Sequence, residues 1–237
     1  MIEADFAETG FVRLEGVIDP GVALEAHDWV VRQRELSNVP STRDLIDRDL
    51  PGPIKLRRLW NADPDFWSDI LERCGVLDVL PHYLDDPIML IRSAAFIKYP
   101  GGRSTVGWHC DEDLWAHPSQ KGLTAWIPLT RVSEESGCLQ FLPGSHRAAP
   151  GALYWDLSHP YHKVMNVSDL GTPRSLPAEV GDCILMDKRC VHASGPNQST
   201  GERIGLVLAF ANCEQSVLNE SAVAWRNGRW LEMESTH

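Results

Sequence analysis

Hydrophobic and polar positions follow two textures along the chain, and they change near residue 88. The first part is mixed. Phe11 to Leu14 is a short apolar run that reads as a strand. Asp19-Pro20 then opens a helical stretch to about Leu36, with Asp19 suited to the N-cap and Pro20 to the first helical position. Residues 37–53 are polar, carry Pro40, Pro51, Gly52 and Pro53, and read as a loop. Asp63-Pro64 repeats the cap-then-proline signal, predicting a helix through Trp67, Ile70 and Leu71 to Cys74 and a second short one from Val76 to Tyr83. From residue 88 short apolar runs separated by turn residues take over, at 88–99, 106–111, 123–129, 138–142, 182–187, 189–194 and 203–211. That spacing is the signature of an antiparallel sandwich or barrel. Residues 145–180 form a long insertion punctuated by Pro and Gly, and insertions of this length in a compact domain are more often functional than decorative. Trp225 to Trp230 reads as a hairpin around an Asn-Gly type I′ turn.

Length and composition narrow the picture. The 237 residues suit one mainly β domain with flanking helices, spanning 1–237, with helical support over about 1–87 and a β core over about 88–211. An apolar fraction of 43% allows a proper core. With 22 basic and 33 acidic residues the net charge is −11, which disfavours nucleic acid and anionic membrane surfaces as partners. Six cysteines, at 74, 110, 138, 183, 190 and 213, contain no CxxC pair and read as reduced thiols. The acidic start MIEADFAETG has no signal-peptide character, and no run approaches the roughly 18 apolar residues of a membrane span. The expectation is a soluble, cytoplasmic protein acting on a small molecule; its oligomeric state is left open.

Two segments carry chemistry. In Gly107-Trp108-His109-Cys110-Asp111, positions i and i+2 of an extended strand share a face, so His109 and Asp111 point together. A chain with 9 histidines and 33 acids holds roughly one His-x-acid by chance, so this motif needs context. The second segment runs from Cys190 to Arg203 with turn formers at its centre, and reads as a β-hairpin with a longer loop. A loop centred between Asn197 and Gln198 sets His192 opposite Arg203, with Ser194 on the same face two residues along. Two histidines and one carboxylate on one face of an octahedral ion leave three positions open, the arrangement associated with non-haem iron(II) oxygenases. A 2-oxo acid chelates two of those positions and dioxygen takes the third. The distal carboxylate of 2-oxoglutarate then needs a cation, and Arg203 offers a bidentate fork for it while Ser194 adds a hydrogen bond. Zinc hydrolysis also uses three protein ligands and an open position, but has no need of the arginine.

The stretches WHCDEDLW (108–115), TAWIPLTRVSEESGCLQFLPGSH (124–146) and VGDCILMDKRCVHASGPNQSTGERIGLVLAF (180–210) resemble the phytanoyl-CoA dioxygenase family of iron/2-oxoglutarate oxygenases. The resemblance covers about 88–211 and, more loosely, GFVRLEGVI near the start. It implies a cupin-like double-stranded β-helix, or jelly roll, with Fe(2+) inside one mouth, 2-oxoglutarate as co-substrate and O2 as oxidant. By the family pattern His109, Asp111 and His192 are the catalytic metal ligands, and Arg203 and Ser194 hold the 2-oxoglutarate carboxylate. Trp126 in TAWIPL matches a tryptophan lining the co-substrate site, and Lys55 in PIKLRRLW matches a lysine near it. Related halogenases carry Ala or Gly where Asp111 stands, so halogenation is not expected. The implied reaction is hydroxylation of an unactivated C–H with release of succinate and CO2. Desaturation, cyclisation or epimerisation on the same cofactors is the nearer alternative, and a cupin-like metal-binding or hydrolytic protein, or a silent scaffold, the more distant one. Trp108, Trp115 and Trp155 are candidates for the substrate wall, and the segments 37–53, 112–120 and 145–180 for a lid.

Overall fold

The computed structural model describes residues 2–36, 39–43, 49–114, 121–148, 153–155, 163–212, 223–226 and 228–232. Its helices are α1 (Ile2–Thr9), α2 (Pro20–Gln33), α3 (Leu59–Ala62), α4 (Pro64–Arg73) and α5 (Val76–Val79). The strands are β1 (Phe11–Leu14), β2 (Ser41–Thr42), β3 (Lys55–Arg57), β4 (Ile88–Lys98), β5 (Val106–His109), β6 (Gly122–Pro128), β7 (Leu139–Phe141), β8 (Leu153–Tyr154), β9 (Val164–Met165), β10 (Arg174–Leu176), β11 (Cys183–Asp187), β12 (His192–Ser194), β13 (Arg203–Asn212), β14 (Val223–Arg226) and β15 (Arg229–Glu232). A large antiparallel sheet runs β1-β11-β6-β13-β4-β14-β15, with β3 also paired to β4 and β2 to β3. A smaller sheet, β10-β7-β12-β5, faces it, so the architecture is a jelly roll.

Alternation in the large sheet explains both its stability and the site. Leu123, Ala125 and Ile127 of β6, Cys183 and Leu185 of β11, and Ile204, Leu206 and Leu208 of β13 pack into one core with the helices. The intervening Trp126, Ile184, Met186 and Val207 pack in a second cluster, with Leu139 and Phe141 of β7. A sheet covered on both faces reads as continuous apolar runs in sequence, which is why its two faces are not told apart by hydropathy. Phe11 and Phe141 stack at 4.3 Å and plug the space between the sheets.

The helices pack on the outer face. Asp19 Oδ1 accepts from the backbone N–H groups of Gly21 and Val22, and Pro20 occupies the first turn, so α2 starts as expected. Asp63 caps α4 in the same way through the N–H of Phe66. Trp29 of α2 meets Trp67 of α4 edge-on at 5.1 Å, and both are buried.

Several expectations are corrected. The chain opens with α1, a short acidic helix that its pattern did not announce. The 37–53 loop contains β2, and the strand β3 follows it. The Val76 start of the next helix holds, but its second half is 3-10 from Leu80 to His82. The 189–194 run is a turn followed by a three-residue strand. Most consequentially, β12 and β13 are not a hairpin: β12 pairs with β5 and β7, whereas β13 pairs with β4 and β6. The segment between them crosses from the small sheet to the large one. Turn formers serve a crossover as well as a hairpin, so the sequence signal is the same. The terminal hairpin is present with Arg226 opposite Arg229 and Gly228 at φ +72°; Asn227 lies outside the described residues. Among the described residues no helix is long and apolar enough to cross a membrane. Replacing Asp19 by Ala removes the acceptor of two N–H groups and should cost about 1 kcal/mol, read from the midpoint of urea unfolding; an unchanged midpoint would show that the cap contributes nothing.

Candidate metal centre

His109 ends β5 and His192 begins β12, and the two are direct register partners across an antiparallel pair. Their ring centroids lie 4.3 Å apart. Each ring is oriented by its own backbone: His109 Nδ1 lies 2.9 Å from the carbonyl of Gly107, and His192 Nδ1 lies 3.0 Å from that of Cys190. A carbonyl only accepts, so Nδ1 carries the proton in both rings and Nε2 is left with its lone pair toward the centre. Asp111 joins them by a route that strand alternation did not foresee. The strand stops at His109, and Asp111 is the first residue of a 3-10 turn. Its Oδ1 lies 3.7 Å from His109 Nε2, and its Oδ2 accepts a 2.8 Å bond from the Thr124 hydroxyl on β6. One ligand atom from each of His109, Asp111 and His192 lies within 4.8 Å of the others, so the three are able to share one ion.

Electrostatics keep the carboxylate ionised. Burial opposes the charge on Asp111, but His192, His109, Arg92 and the Thr124 hydroxyl outweigh it, and its pKa lies below the ordinary carboxylate value. Two imidazoles beside a carboxylate are the donor set that a divalent ion of intermediate hardness takes, and the three second partners, two carbonyls and one hydroxyl, fix the ligands.

A cavity of about 350 Å³ runs from this cluster between the two sheets. Arg203 lies on its wall, only 2% exposed, with the guanidinium 4.7 Å above the Trp126 ring. Its Nε and one Nη have no hydrogen-bond partner, and burial lowers its pKa to about 10. Buried donors without partners are costly, so a guanidinium of this kind marks the place of an anionic ligand. Gly205, two residues on and on the same face, lets Trp126 lie there: a Cβ at Gly205 would stand 2.3 Å from the indole.

Arg203 does not face His192 as a hairpin would have placed it; its register partner is Lys98 at the end of β4. Lys98 was not foreseen. It is buried, and its Nζ donates to the Ser194 hydroxyl oxygen at 2.8 Å, to the Ser194 carbonyl at 3.1 Å and to the Gly195 carbonyl. Burial, and then the charge of Arg203, hold its pKa well below the ordinary lysine value. Because Ser194 Oγ accepts from Lys98, its own proton is directed elsewhere, and Ser194 lines the cavity. Trp126 lines the cavity, and so does Lys55, whose Nζ sits 4.3 Å above the Phe96 ring. Thr124 and Arg92 were also missed. All three omissions, Arg92, Lys98 and Thr124, sit at inward positions of apolar strands, where a lone polar residue was the available signal. Trp108 packs instead with Cys110, Leu142 and Val191, and Trp155 is 68% exposed. Trp115 lies outside the described residues.

Fold and cluster together define a class: jelly-roll proteins with two histidines and one carboxylate gathered between the sheets. Residues 6–205 match the family described as phytanoyl-CoA dioxygenase (PhyH). The chain belongs to that family. It is 31% identical over 170 residues to a probable alpha-ketoglutarate-dependent hypophosphite dioxygenase of Stutzerimonas stutzeri, covering 66% of this chain and 57% of that protein. It is 26% identical over 224 residues to dioxygenase af480 of Aspergillus fumigatus, covering 88% and 65%. The chain thus spans about 57 to 65% of the length of these relatives. Among solved structures, the epimerase SnoN in complex with Fe3+, alpha ketoglutarate and nogalamycin RO superposes with a TM-score of 0.75 at 18% identity, covering 96% of this chain and 86% of that one. This likeness shows the fold. Gly205→Ala should force the Trp126 indole aside, at a cost of about 1–3 kcal/mol in stability and with an altered tryptophan emission spectrum; an unshifted spectrum would mean that Trp126 does not depend on that gap.

Proposed function

We propose that the protein is an iron(II)- and 2-oxoglutarate-dependent oxygenase, with His109, Asp111 and His192 as metal ligands and Arg203 as the anchor for the co-substrate. The observation that carries this reading is Arg203: a buried guanidinium with unmet donors, in the same cavity as the three ligand side chains. A hydrolytic metal site gives no reason for it. Family membership and relatives named as alpha-ketoglutarate-dependent dioxygenases support the same reading. Iron and 2-oxoglutarate, when bound, supply the oxidation of an unactivated C–H with release of succinate and CO2.

The residues divide the remaining work. His109 and His192 present Nε2 because the carbonyls of Gly107 and Cys190 hold the proton on Nδ1. Thr124 fixes one Asp111 oxygen and leaves the other for the metal. Arg203 pairs with the distal carboxylate of the keto-diacid, Trp126 supports the guanidinium from below, and Ser194 donates its hydroxyl proton to the same carboxylate. Lys98 holds Ser194 in that orientation. Val207, Met186 and Leu139 give the cavity apolar walls, which keep water from the reacting centre. The substrate is read as a free small molecule, hydroxylated in a cytoplasmic reaction. A second outcome, epimerisation, is favoured only by the likeness in fold to SnoN, and product masses separate the two.

Anaerobic addition of iron(II) and 2-oxoglutarate should give a visible charge-transfer band in the wild type and none in His109→Ala or Asp111→Ala. A full band in either variant would refute the ligand assignment. Arg203→Ala should raise the half-saturating 2-oxoglutarate concentration roughly 10- to 100-fold, the equivalent of one lost charge-assisted pair; an unchanged requirement would remove Arg203 from that role. Thr124→Val should weaken iron affinity about 10- to 100-fold, measured by chelator competition, and equal affinity would show that Asp111 needs no support.

A further inference from the structure

Two cations on the cavity wall are not used by the reading of Arg203 as the co-substrate anchor, Arg57 on β3 and Arg92 on β4, while Lys55 on β3 lies nearer Arg203. Among the described residues, the carboxylate on this wall is Asp111, already committed to the metal cluster. The chain carries 11 net negative charges, so a basic wall is not a consequence of composition. The sheet register brings the cations together. Arg57 faces Ala94 across the β3–β4 pair, and Lys55 faces Phe96. Arg92 stands two residues before Ala94 on the same face of β4. Diagonal neighbours of this kind have Cα atoms roughly 7–8 Å apart, within reach of two long side chains above one alanine methyl. Neither the Arg57 nor the Arg92 guanidinium makes an ion pair or hydrogen bond to another described residue, although the charge of Arg92 is felt by Asp111. Like charges set side by side on a sheet face are unfavourable until an anion joins them.

Position separates Arg92 and Arg57 from the Arg203 clamp. Lys98, the partner of Arg203, lies six residues along β4 from Arg92, about 20 Å at roughly 3.3 Å per residue. Arg92 instead faces Ala209, whose partner on the other side is Thr124, the residue that hydrogen-bonds Asp111. The cavity, at about 350 Å³, has room for a short molecule beside the co-substrate.

We propose that the molecule oxidised at this site is a small oxyanion, a carboxylate or a phosphorus acid, gripped by Arg92 and by Arg57 at the exposed end of β3. Guanidinium forks match both anions in a bidentate manner, which an ammonium does not. The inference rests on the oxygenase reading and deepens it by naming the substrate class.

The test is calorimetric titration of the protein, loaded with iron(II) and 2-oxoglutarate without oxygen, with methylphosphonate and with propionate in parallel. At least one of the two should bind saturably while the charge-transfer band persists, and the tighter one identifies the oxyanion. Arg92→Gln and Arg57→Gln should each weaken that binding at least tenfold, Arg92→Lys should fall between wild type and Arg92→Gln, and Arg131→Gln on the outer surface should leave it unchanged. An intact band in the Arg92 variants shows that the fold and the metal centre survive. Binding of neither anion, equal binding by Arg92→Gln, or displacement of 2-oxoglutarate by the anion would overturn the proposal. A wild-type protein that forms no band counts against the oxygenase reading instead, and the same titrations without metal then decide the anion site by themselves.

Discussion

The register of one short strand pair governs the site. His192 and His109 meet because β12 lies against β5 in a fixed alignment, and a slip of one residue would turn either imidazole to the other face of its sheet. A three-residue strand does not hold such a register alone. β12 is gripped on its other side by β7, where His192, Ala193 and Ser194 pair with Phe141, Gln140 and Leu139. Just before it, the N–H of Val191 donates to the Ser145 hydroxyl, and its carbonyl accepts from the N–H of Leu142. The LPGSH turn (142–146) therefore helps to set the alignment that builds the candidate metal centre. Phe141, fully buried and 5.9 Å from the His192 ring, fills the space beneath it.

The large sheet contributes the opposite wall, and its double burial has a chemical consequence. A charge placed at an inward position of such a sheet has nowhere to be solvated. Arg203 is held against Trp126, over a gap that exists because residue 205 is glycine, and it keeps two donors with no partner among the described residues. Stability alone would favour an apolar side chain there. Lys98 next to it is in a similar position but is satisfied, by Ser194 and Gly195. The contrast between the two separates a structural buried cation from one left open to a ligand.

Much of this was legible in the sequence, but partly for the wrong reason. His109 and Asp111 stood out by their i, i+2 spacing and His192 by its place in the 190–203 segment, yet Asp111 reaches the candidate metal cluster through a 3-10 turn and not through strand alternation. Arg203 and Ser194 were singled out from an imagined hairpin; the chain instead crosses between sheets, and the residues converge because the sheets face each other. Arg92, Lys98 and Thr124 were hidden because a doubly covered strand has no polar face to break its pattern. The α1 helix escaped because eight residues with no cap signal and weak amphipathicity give little to read. The helix starts at Asp19-Pro20 and Asp63-Pro64 were the clearest features, since a side-chain cap followed by proline is a local signal that tertiary context rarely overrides.

The central claim is that three side chains from two separated segments share one ferrous ion beside an anchored keto-diacid. Anomalous diffraction at the iron edge, from crystals grown without oxygen in iron(II) and 2-oxoglutarate, tests it most directly. The expected result is one strong peak at bonding distance from His109 Nε2, His192 Nε2 and an Asp111 oxygen, with density for the keto-diacid ending on the Arg203 guanidinium. A peak elsewhere, or a keto-diacid bound away from Arg203, would contradict the account.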